Sequence, residues 1–171
     1  MGKNEKIILL DADVIIHFYK GEHILTLKKI FPGRLFILDI VLNELNGNLT
    51  TKEVVDNFLN FGIAKRMDFP NDRNIKVEYA LLRKRFGNGE SACMAVSRYN
   101  KNILASSNLK DIVDYCIKYG IEYLTTMDFL THALNNGILS ESECDEFIDK
   151  VILKGSKLPC RTIKEYKERY R

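Results

Sequence analysis

The sequence predicts an α/β protein with a Rossmann-like, three-layer α/β/α fold around a central parallel sheet. The first observation is a set of short apolar runs without polar alternation, at residues 7–10, 35–38 and 102–106. Such runs are typical of strands that are buried on both faces. The second observation is that stretches with helical periodicity separate these runs, and strands that alternate with helices form parallel sheets.

Length and composition favour one domain, or one domain with a small appendage. The chain has 171 residues, of which 46% are hydrophobic, so it can bury a core. We expect a main domain over residues 1–139 and a helical extension of the same domain over residues 140–171. No apolar run is long enough for a membrane span and the N-terminus lacks the pattern of a signal peptide, so we expect a cytoplasmic protein.

The first strand is predicted over residues 7–10, and Asp11 follows it directly. Asp13 is expected to cap the helix over residues 14–19, because a short acceptor there satisfies free N–H groups. Ligands of open α/β sheets bind at the carboxyl ends of the strands, where Asp11 stands. Asp11 is therefore a candidate ligand for a divalent metal, and the alternative is an ordinary turn residue after a strand.

The second strand is predicted over residues 35–38, and the short helix after it carries Glu44. If the first two strands are parallel neighbours, Glu44 lies on the same edge of the sheet as Asp11. The alternative is a glutamate that faces solvent. An amphipathic helix over residues 50–61 and an edge strand over residues 63–69 are predicted next.

A helix over residues 74–86 follows the edge strand. The apolar residues expected to face the core are Val77, Ala80, Leu81 and possibly Leu82. The basic residues at its exposed end are Arg83, Lys84 and Arg85. This basic group suits the helix dipole and could contact phosphates, and the alternative is a solvated surface.

The segment Gly87-Asn88-Gly89-Glu90 lies between two predicted helices. It lacks the Gly-Lys-Ser/Thr ending of a Walker loop, and it does not follow a strand as a dinucleotide-binding loop does. We therefore expect a tight turn that begins the helix over residues 90–99. Glu90 then lies in the first helical turn, where a carboxylate is electrostatically favoured.

The third buried strand, over residues 102–106, is followed by Ser107 and Asn108 and a helix over residues 109–119. A fourth strand is predicted over residues 121–124, and three further helices follow it. One of these begins at Ser140, where Glu143 completes a capping box.

In their order along the chain, these segments resemble the motifs of the PIN-domain family of nucleases, which includes toxins of the VapC type. The strand that ends at Asp11, the segment Val41-Leu42-Asn43-Glu44-Leu45 and the segment Gly87-Asn88-Gly89-Glu90 resemble its first three acidic motifs. The third is written as in the Gly-x-Gly-Glu branch. The resemblance covers about the whole chain and implies a metal-dependent ribonuclease, of which the toxin of a toxin–antitoxin pair is one kind.

The resemblance implies that Asp11, Glu44 and Glu90 are the catalytic residues and hold Mg²⁺ or Mn²⁺. Hard cations of this type select oxygen ligands, and they relieve charge on the phosphate while activating a water. Without a metal, three neighbouring carboxylates repel one another, and at least one holds a proton more readily.

The family places a fourth acid just after the third buried strand, where this chain has Ser106-Ser107-Asn108. Asn108 can offer an amide oxygen, and Asp111 lies one helical turn later, so both are weaker candidates for metal ligands. The candidates for contacts with substrate are Asp13, Ser107, Arg83, Lys84 and Arg85.

Two other functions stay open. The first is a catalytically weak or inactive PIN domain that binds RNA or a protein, which the missing fourth acid favours. The second is an unrelated doubly wound domain that binds a small phosphorylated ligand, although such a domain predicts a glycine-rich loop directly after a strand. The partners expected from the resemblance are RNA, an antitoxin protein and a second copy of the chain.

Overall fold

The computed structural model describes residues 5–46 and 49–170, with the backbone alone for residues 49–53. In these residues five parallel strands form one sheet in the order β3-β2-β1-β4-β5. The strands are β1 (Ile8–Leu10), β2 (Leu35–Leu38), β3 (Lys65–Met67), β4 (Ile103–Ala105) and β5 (Tyr123–Leu124). The α/β fold class and the edge position of β3 confirm the prediction.

Ten helices of the described residues connect and cover these strands. They are α1 (Ala12–Lys20), α2 (Ile24–Ile30), α3 (Asp39–Asn46), α4 (Leu49–Asn60), α5 (Arg73–Leu82), α6 (Asn88–Asn100), α7 (Leu109–Tyr119), α8 (Thr126–Asn135), α9 (Glu141–Leu153) and α10 (Ile163–Tyr170). The observed ends differ from the predicted ones by a few residues at most helices, and α7 matches its prediction at both ends.

The pairing register places β1 at the centre of the sheet. Ile8 is opposite Leu35 on one side and Ile103 on the other, and Leu10 is opposite Ala105. The chain moves outward from β1 to β3 and then returns to β4 on the other side of β1. The strand order therefore reverses between β1 and β4, and in such sheets a crevice for ligands lies at that point, beyond the carboxyl ends of the strands.

The core lies against both faces of this sheet. All residues of β1 and β4 are buried, and so is every residue of α6 from Gly89 to Ser97. A fully buried leucine or isoleucine stabilises a fold by about 1.5–3 kcal/mol relative to an exposed one. The first strand and α6 are thus held firmly in place, which matters because each carries one candidate site residue at its end.

The start of α1 corrects one prediction. The N-cap is Asp11, whose side chain accepts a hydrogen bond from the backbone N–H of Ala12, whereas Asp13 lies inside the first turn. The strand ends one residue before Asp11, so the helix begins as soon as the sheet ends. The aspartate next to the strand therefore takes the capping role that we expected of Asp13.

The inward face of α5 was predicted wrongly except at Leu82. Val77 and Leu81 are 54% and 52% exposed, and Ala80 is exposed too. Ile75 and Leu82 are the buried residues of this helix. Apolar residues occur on both sides of this helix, so periodicity alone does not decide which side packs against the core.

The C-terminal helices pack on the same core. The Phe147 ring of α9 contacts Phe18 of α1 at a centroid distance of 5.0 Å, and it also fills the space where a Cβ at Gly21 would lie. The predicted capping box of Ser140 and Glu143 is present. The division of the chain at residue 139 stays a prediction. Among the described residues, no helix has both the length and the apolar character needed to cross a membrane.

Candidate active site

Asp11 lies at the carboxyl end of the central strand β1. It is 6% exposed, and its Oδ1 accepts a hydrogen bond of 2.8 Å from the backbone N–H of Ala12. The backbone N–H of Asp11 in turn donates to the carbonyl of Ala105 in β4 at 2.9 Å. The position of this carboxylate is therefore fixed by the sheet on one side and by the start of α1 on the other.

Glu44 projects from α3, the helix after β2, towards the start of α6. A Cβ at Gly89 would lie 2.5 Å from Oε2 of Glu44 and 3.2 Å from Cγ2 of Val41. A Cβ at Gly87 would lie 3.8 Å from Oε1 of Glu44, which is an ordinary contact distance. Gly89 therefore leaves the room that the Glu44 carboxylate occupies. It lies inside α6, whose N-cap is Gly87, and not in the turn before the helix that we predicted.

Glu90 is the next residue of α6 and is 8% exposed. Its Oε1 accepts a hydrogen bond of 3.1 Å from Nδ2 of Asn108, which follows β4. The same amide nitrogen donates to Oδ2 of Asp111 at 2.7 Å. Asn108 thus bridges two carboxylates, in the position where a fourth acid was expected from the family resemblance.

The pKa values show that these carboxylates act on one another. Burial raises the pKa of Asp11 well above its ordinary value, and the negative charges of Asp13, Glu90 and Glu44 raise it further. Burial also raises the pKa of Glu90 to about 7, with contributions from Asp111 and Asp13. Each charge that acts on these two groups is another carboxylate, so the ionised cluster repels itself.

The thiol of Cys93 lies beneath this cluster. Burial raises the pKa of Cys93, and the charges of Asp11, Asp13, Glu44 and Glu90 raise it further in that order. Its Sγ is 3.9 Å from the carbonyl oxygen of Leu10, the last residue of β1. The same four carboxylates are therefore near one buried point at the end of the central strand.

Asp13 connects α1 to the segment after β4. Its Oδ2 accepts hydrogen bonds from the backbone N–H of Ser107 at 2.7 Å and from the hydroxyl of Ser106 at 3.4 Å. Burial raises the pKa of Asp13, and the hydrogen bond from Ser107 opposes that rise. These bonds hold the Ser106–Asn108 segment in place beside Asp11.

A chain of hydrogen bonds that we did not predict holds the other side of this segment. The Ser107 hydroxyl contacts that of Thr126 at 2.8 Å, and Thr126 contacts Nδ1 of His17 at 2.8 Å. Burial, together with the charge of Lys20, lowers the pKa of His17 to about 4, so its ring is neutral at neutral pH. Thr126 is the first residue of α8. The start of this helix could have been predicted from the spacing Thr125-x-x-Asp128, which is typical of a capping box and forms one here.

The predicted basic group lies after α5, and its members have exposed side chains. The guanidinium groups of Arg83 and Arg85 lie over the rings of Tyr79 and Phe86, at 5.6 and 5.2 Å from the ring centroids. Arg85 lines a groove of about 460 Å³ between this segment and α7, and Asp111 lines the same groove. Lys110 of α7 also lines that groove and was not predicted from the sequence.

Within residues 5–46 and 49–170, no group of three or more His, Cys, Asp or Glu side chains is arranged to hold a metal ion. The carboxylates of Asp11, Glu44 and Glu90 nevertheless offer only oxygen donors, which are the donors that Mg²⁺ and Mn²⁺ prefer. These oxygen donors thus suit such a cation chemically. To bind one, the three carboxylates would have to move closer together.

The comparisons with known proteins agree with the fold. One chain of the crystal structure of DNA-bound VapBC from Salmonella typhimurium is similar to this chain, with a TM-score of 0.55 and 16% sequence identity. The similarity covers 71% of this chain and 99% of that chain. No family model matches the sequence, and no curated protein matches it. The protein therefore has a PIN-like α/β fold, with a carboxylate cluster where the strand order reverses.

Proposed function

We propose that the protein is a metal-dependent ribonuclease of the PIN type. The observation that carries this proposal is the convergence of Asp11, Glu44 and Glu90 at the carboxyl end of β1. Asp11 caps α1, Glu44 lies in α3 and Glu90 lies in the first turn of α6. The negative charges of Glu90 and Glu44 raise the pKa of Asp11, so the three carboxylates repel one another. A fold that keeps such repulsion at a ligand-binding edge is typical of a functional site.

A divalent cation would relieve this repulsion. Asp11, Glu44 and Glu90 would hold Mg²⁺ or Mn²⁺, with Asn108 and Asp111 as weaker candidates. When bound, the cation would supply an activated water and relief of charge on the phosphate. Mg²⁺ keeps several of its waters and needs only one or two direct carboxylate ligands, so some of these residues would act through water.

The residues of this chain position the reacting groups. The hydrogen bond from Ala12 orients Asp11, and the space at Gly89 leaves room for the Glu44 carboxylate. Asn108 orients Glu90 through the hydrogen bond to its Oε1. These supports let three carboxylates from distant parts of the sequence hold one arrangement, and such positioning supplies much of the rate of phosphodiester cleavage.

The toxin of a toxin–antitoxin pair is the biological role that we propose for this nuclease. The support is the fold that it shares with a chain of VapBC and the resemblance of its acidic motifs to those of VapC-type toxins. In this proposal RNA is the substrate and a separate antitoxin protein is the inhibitor. The protein acts in the cytoplasm, and two copies of the chain form a homodimer.

The test is cleavage of a mixed RNA pool by the purified protein with Mn²⁺, beside the variant Asp11→Asn. Asparagine caps a helix as well as aspartate does, so this variant keeps the start of α1. We expect cleavage by the wild type, and a loss of about a hundredfold or more in Asp11→Asn. A single-stranded DNA of matched sequence tests the choice of RNA. Equal cleavage by both proteins would show that the activity does not come from this site.

The second candidate is an inactive PIN domain that binds RNA or a protein. The observation that favours it is Asn108, whose amide bridges Glu90 and Asp111 where the family has an acid. This candidate predicts RNA binding without cleavage at any concentration of Mn²⁺, together with no change in thermal stability when Mn²⁺ is added. The nuclease predicts cleavage and stabilisation by the ion.

A further inference from the structure

A second groove lies on the other side of the segment that follows β4. It has a volume of about 330 Å³ and is called here the C-terminal groove. One side is formed by residues 107–110, and the other by residues 157–159 with Tyr166 and Tyr170. Most of its lining thus comes from the segment between β4 and the first turn of α7, and from α10 with the loop before it.

The C-terminal groove adjoins the carboxylate cluster directly. Asn108 lines the groove, and its Nδ2 donates to Oε1 of Glu90 at 3.1 Å. Ser107 lines it too, and the backbone N–H of Ser107 donates to Oδ2 of Asp13 at 2.7 Å. A molecule in this groove therefore contacts the same short segment that supports the candidate active site.

The charge of the C-terminal groove favours an anion. Lys110 and Lys157 are its charged lining residues, and no carboxylate belongs to the lining formed by described residues. The groove between α5 and α7 differs, because Glu78, Asp111 and Asp114 there offset its basic residues. Of the two grooves beside the site, the C-terminal groove is thus the one with a net positive lining.

The C-terminal groove also presents an aromatic surface. Tyr170 is 55% exposed, and its ring stacks on that of Tyr166 at a centroid distance of 5.0 Å and an angle of 30°. Leu158 and Pro159 provide apolar surface in the same groove. Aromatic rings beside lysines are what proteins use to bind single-stranded nucleic acids, with bases stacked on the rings and phosphates near the basic groups.

We propose that the C-terminal groove binds one nucleotide of a single-stranded nucleic acid, next to the bond that the carboxylate cluster cleaves. Its base stacks on Tyr170, and its phosphates lie near Lys157 and Lys110. This inference rests on the proposed function and restricts its substrate class. A base in a duplex is stacked on its neighbours and is not available to Tyr170, so unpaired segments are the substrates that bind.

The experiment measures binding alone, by fluorescence anisotropy of a labelled short single-stranded RNA in the presence of EDTA. The proteins are the full-length wild type, Tyr170→Ala, Tyr170→Phe and the control Tyr99→Ala. Tyr99 is 40% exposed at the far end of α6 and does not line the groove. We expect Tyr170→Ala to weaken binding about tenfold, while Tyr170→Phe and the control stay within about twofold of the wild type.

Two further measurements sharpen the test. Lys157→Gln should lower the slope of log affinity against log salt by about one, as expected for one lost phosphate contact. The matching RNA duplex should bind at least about tenfold more weakly than the single strand. Equal affinities of Tyr170→Ala and wild type, or of duplex and single strand, would overturn the proposal. A wild type that does not bind the RNA would also overturn it, and would leave a protein segment as the occupant.

The result separates this inference from the proposed function, because binding in EDTA requires no cleavage. A protein that cleaves RNA through Asp11 but binds it independently of Tyr170 overturns the groove assignment alone. A protein that binds single strands through Tyr170 but does not cleave them overturns the nuclease assignment alone.

Discussion

Replacing Glu90 by glutamine should stabilise the metal-free protein at alkaline pH. Burial and the neighbouring carboxylates raise the pKa of Glu90 from 4.5 to about 7. Between these values the folded protein holds a proton that the unfolded chain releases. The stability that the protonated group contributes is therefore complete below about pH 4.5 and is lost as the pH rises through about 7.

The size of this stabilisation follows from the difference between the two pKa values of Glu90. One pKa unit corresponds to about 1.4 kcal/mol, so the upper limit at alkaline pH is about 3 kcal/mol. Solvent screening of the carboxylate lowers this limit, and we expect a stabilisation of about 2 kcal/mol, or about 4–8 °C in Tm for a domain of this size. Glutamine keeps an oxygen that can accept the hydrogen bond from Asn108, so Glu90→Gln removes the charge without removing that contact.

The assay is thermal unfolding with EDTA at about pH 5 and about pH 8, where the first condition protonates Glu90 in the folded state. The control is Glu146→Gln, which replaces an exposed glutamate of α9. We expect a higher Tm for Glu90→Gln at the alkaline pH, a much smaller difference at the acidic pH, and no change in the control. An equal gain at both pH values, or a loss of stability at alkaline pH, would refute the reasoning.

Three further predictions concern Gly89, Asn108 and Val77. Gly89→Ala should displace the Glu44 carboxylate and lower RNA cleavage at least about tenfold with the fold intact, whereas Gly87→Ala, with its ordinary contact distance, should keep most of the activity. Asn108→Asp should bind Mn²⁺ more tightly by about tenfold in calorimetry, because it adds a carboxylate, and equal affinities would count against a role near the ion. Val77→Lys should change the free energy of unfolding by less than about 0.5 kcal/mol, since Val77 is exposed. A large loss of stability would show instead that Val77 faces the core, as the sequence predicted.

The sequence predicted the parts of the site that depend on topology. Asp11 and Glu44 each follow an apolar strand, and the carboxyl ends of parallel strands share one edge of a sheet. The expectation that they lie on one edge therefore required only that β1 and β2 be parallel neighbours, and the structure confirms that pairing. Glu90 was placed correctly in the first turn of its helix. The resemblance then grouped these three residues before any contact was known.

The contacts that support the site depend on segments that are distant in sequence. The room for Glu44 at Gly89 depends on how α3 packs against α6, so the glycine pair could be predicted only as a turn. The bridge from Asn108 to Glu90 and Asp111 likewise joins two separate helix starts. The contacts of Gly89 with Glu44 and of Asn108 with Glu90 have no local signal, because both are set by tertiary packing.

The wrong predictions arose where a local sequence pattern was compatible with two different structures. Both Asp11 and Asp13 are good capping residues, and the end of β1 decides that Asp11 caps α1. In α5, apolar residues at two helical faces compete, and the face with Ile75 and Leu82 packs against the core. The capping box of Thr125 and Asp128 had a clear local signal that we did not use.

Anomalous scattering from Mn²⁺ in crystals of the protein would locate the metal site itself. We expect a peak among the carboxylates of Asp11, Glu44 and Glu90 at the end of β1, and its loss in Asp11→Asn crystals prepared in the same way. A peak elsewhere, or no peak in crystals of an active wild-type protein, would contradict the assignment of this cluster as the metal site.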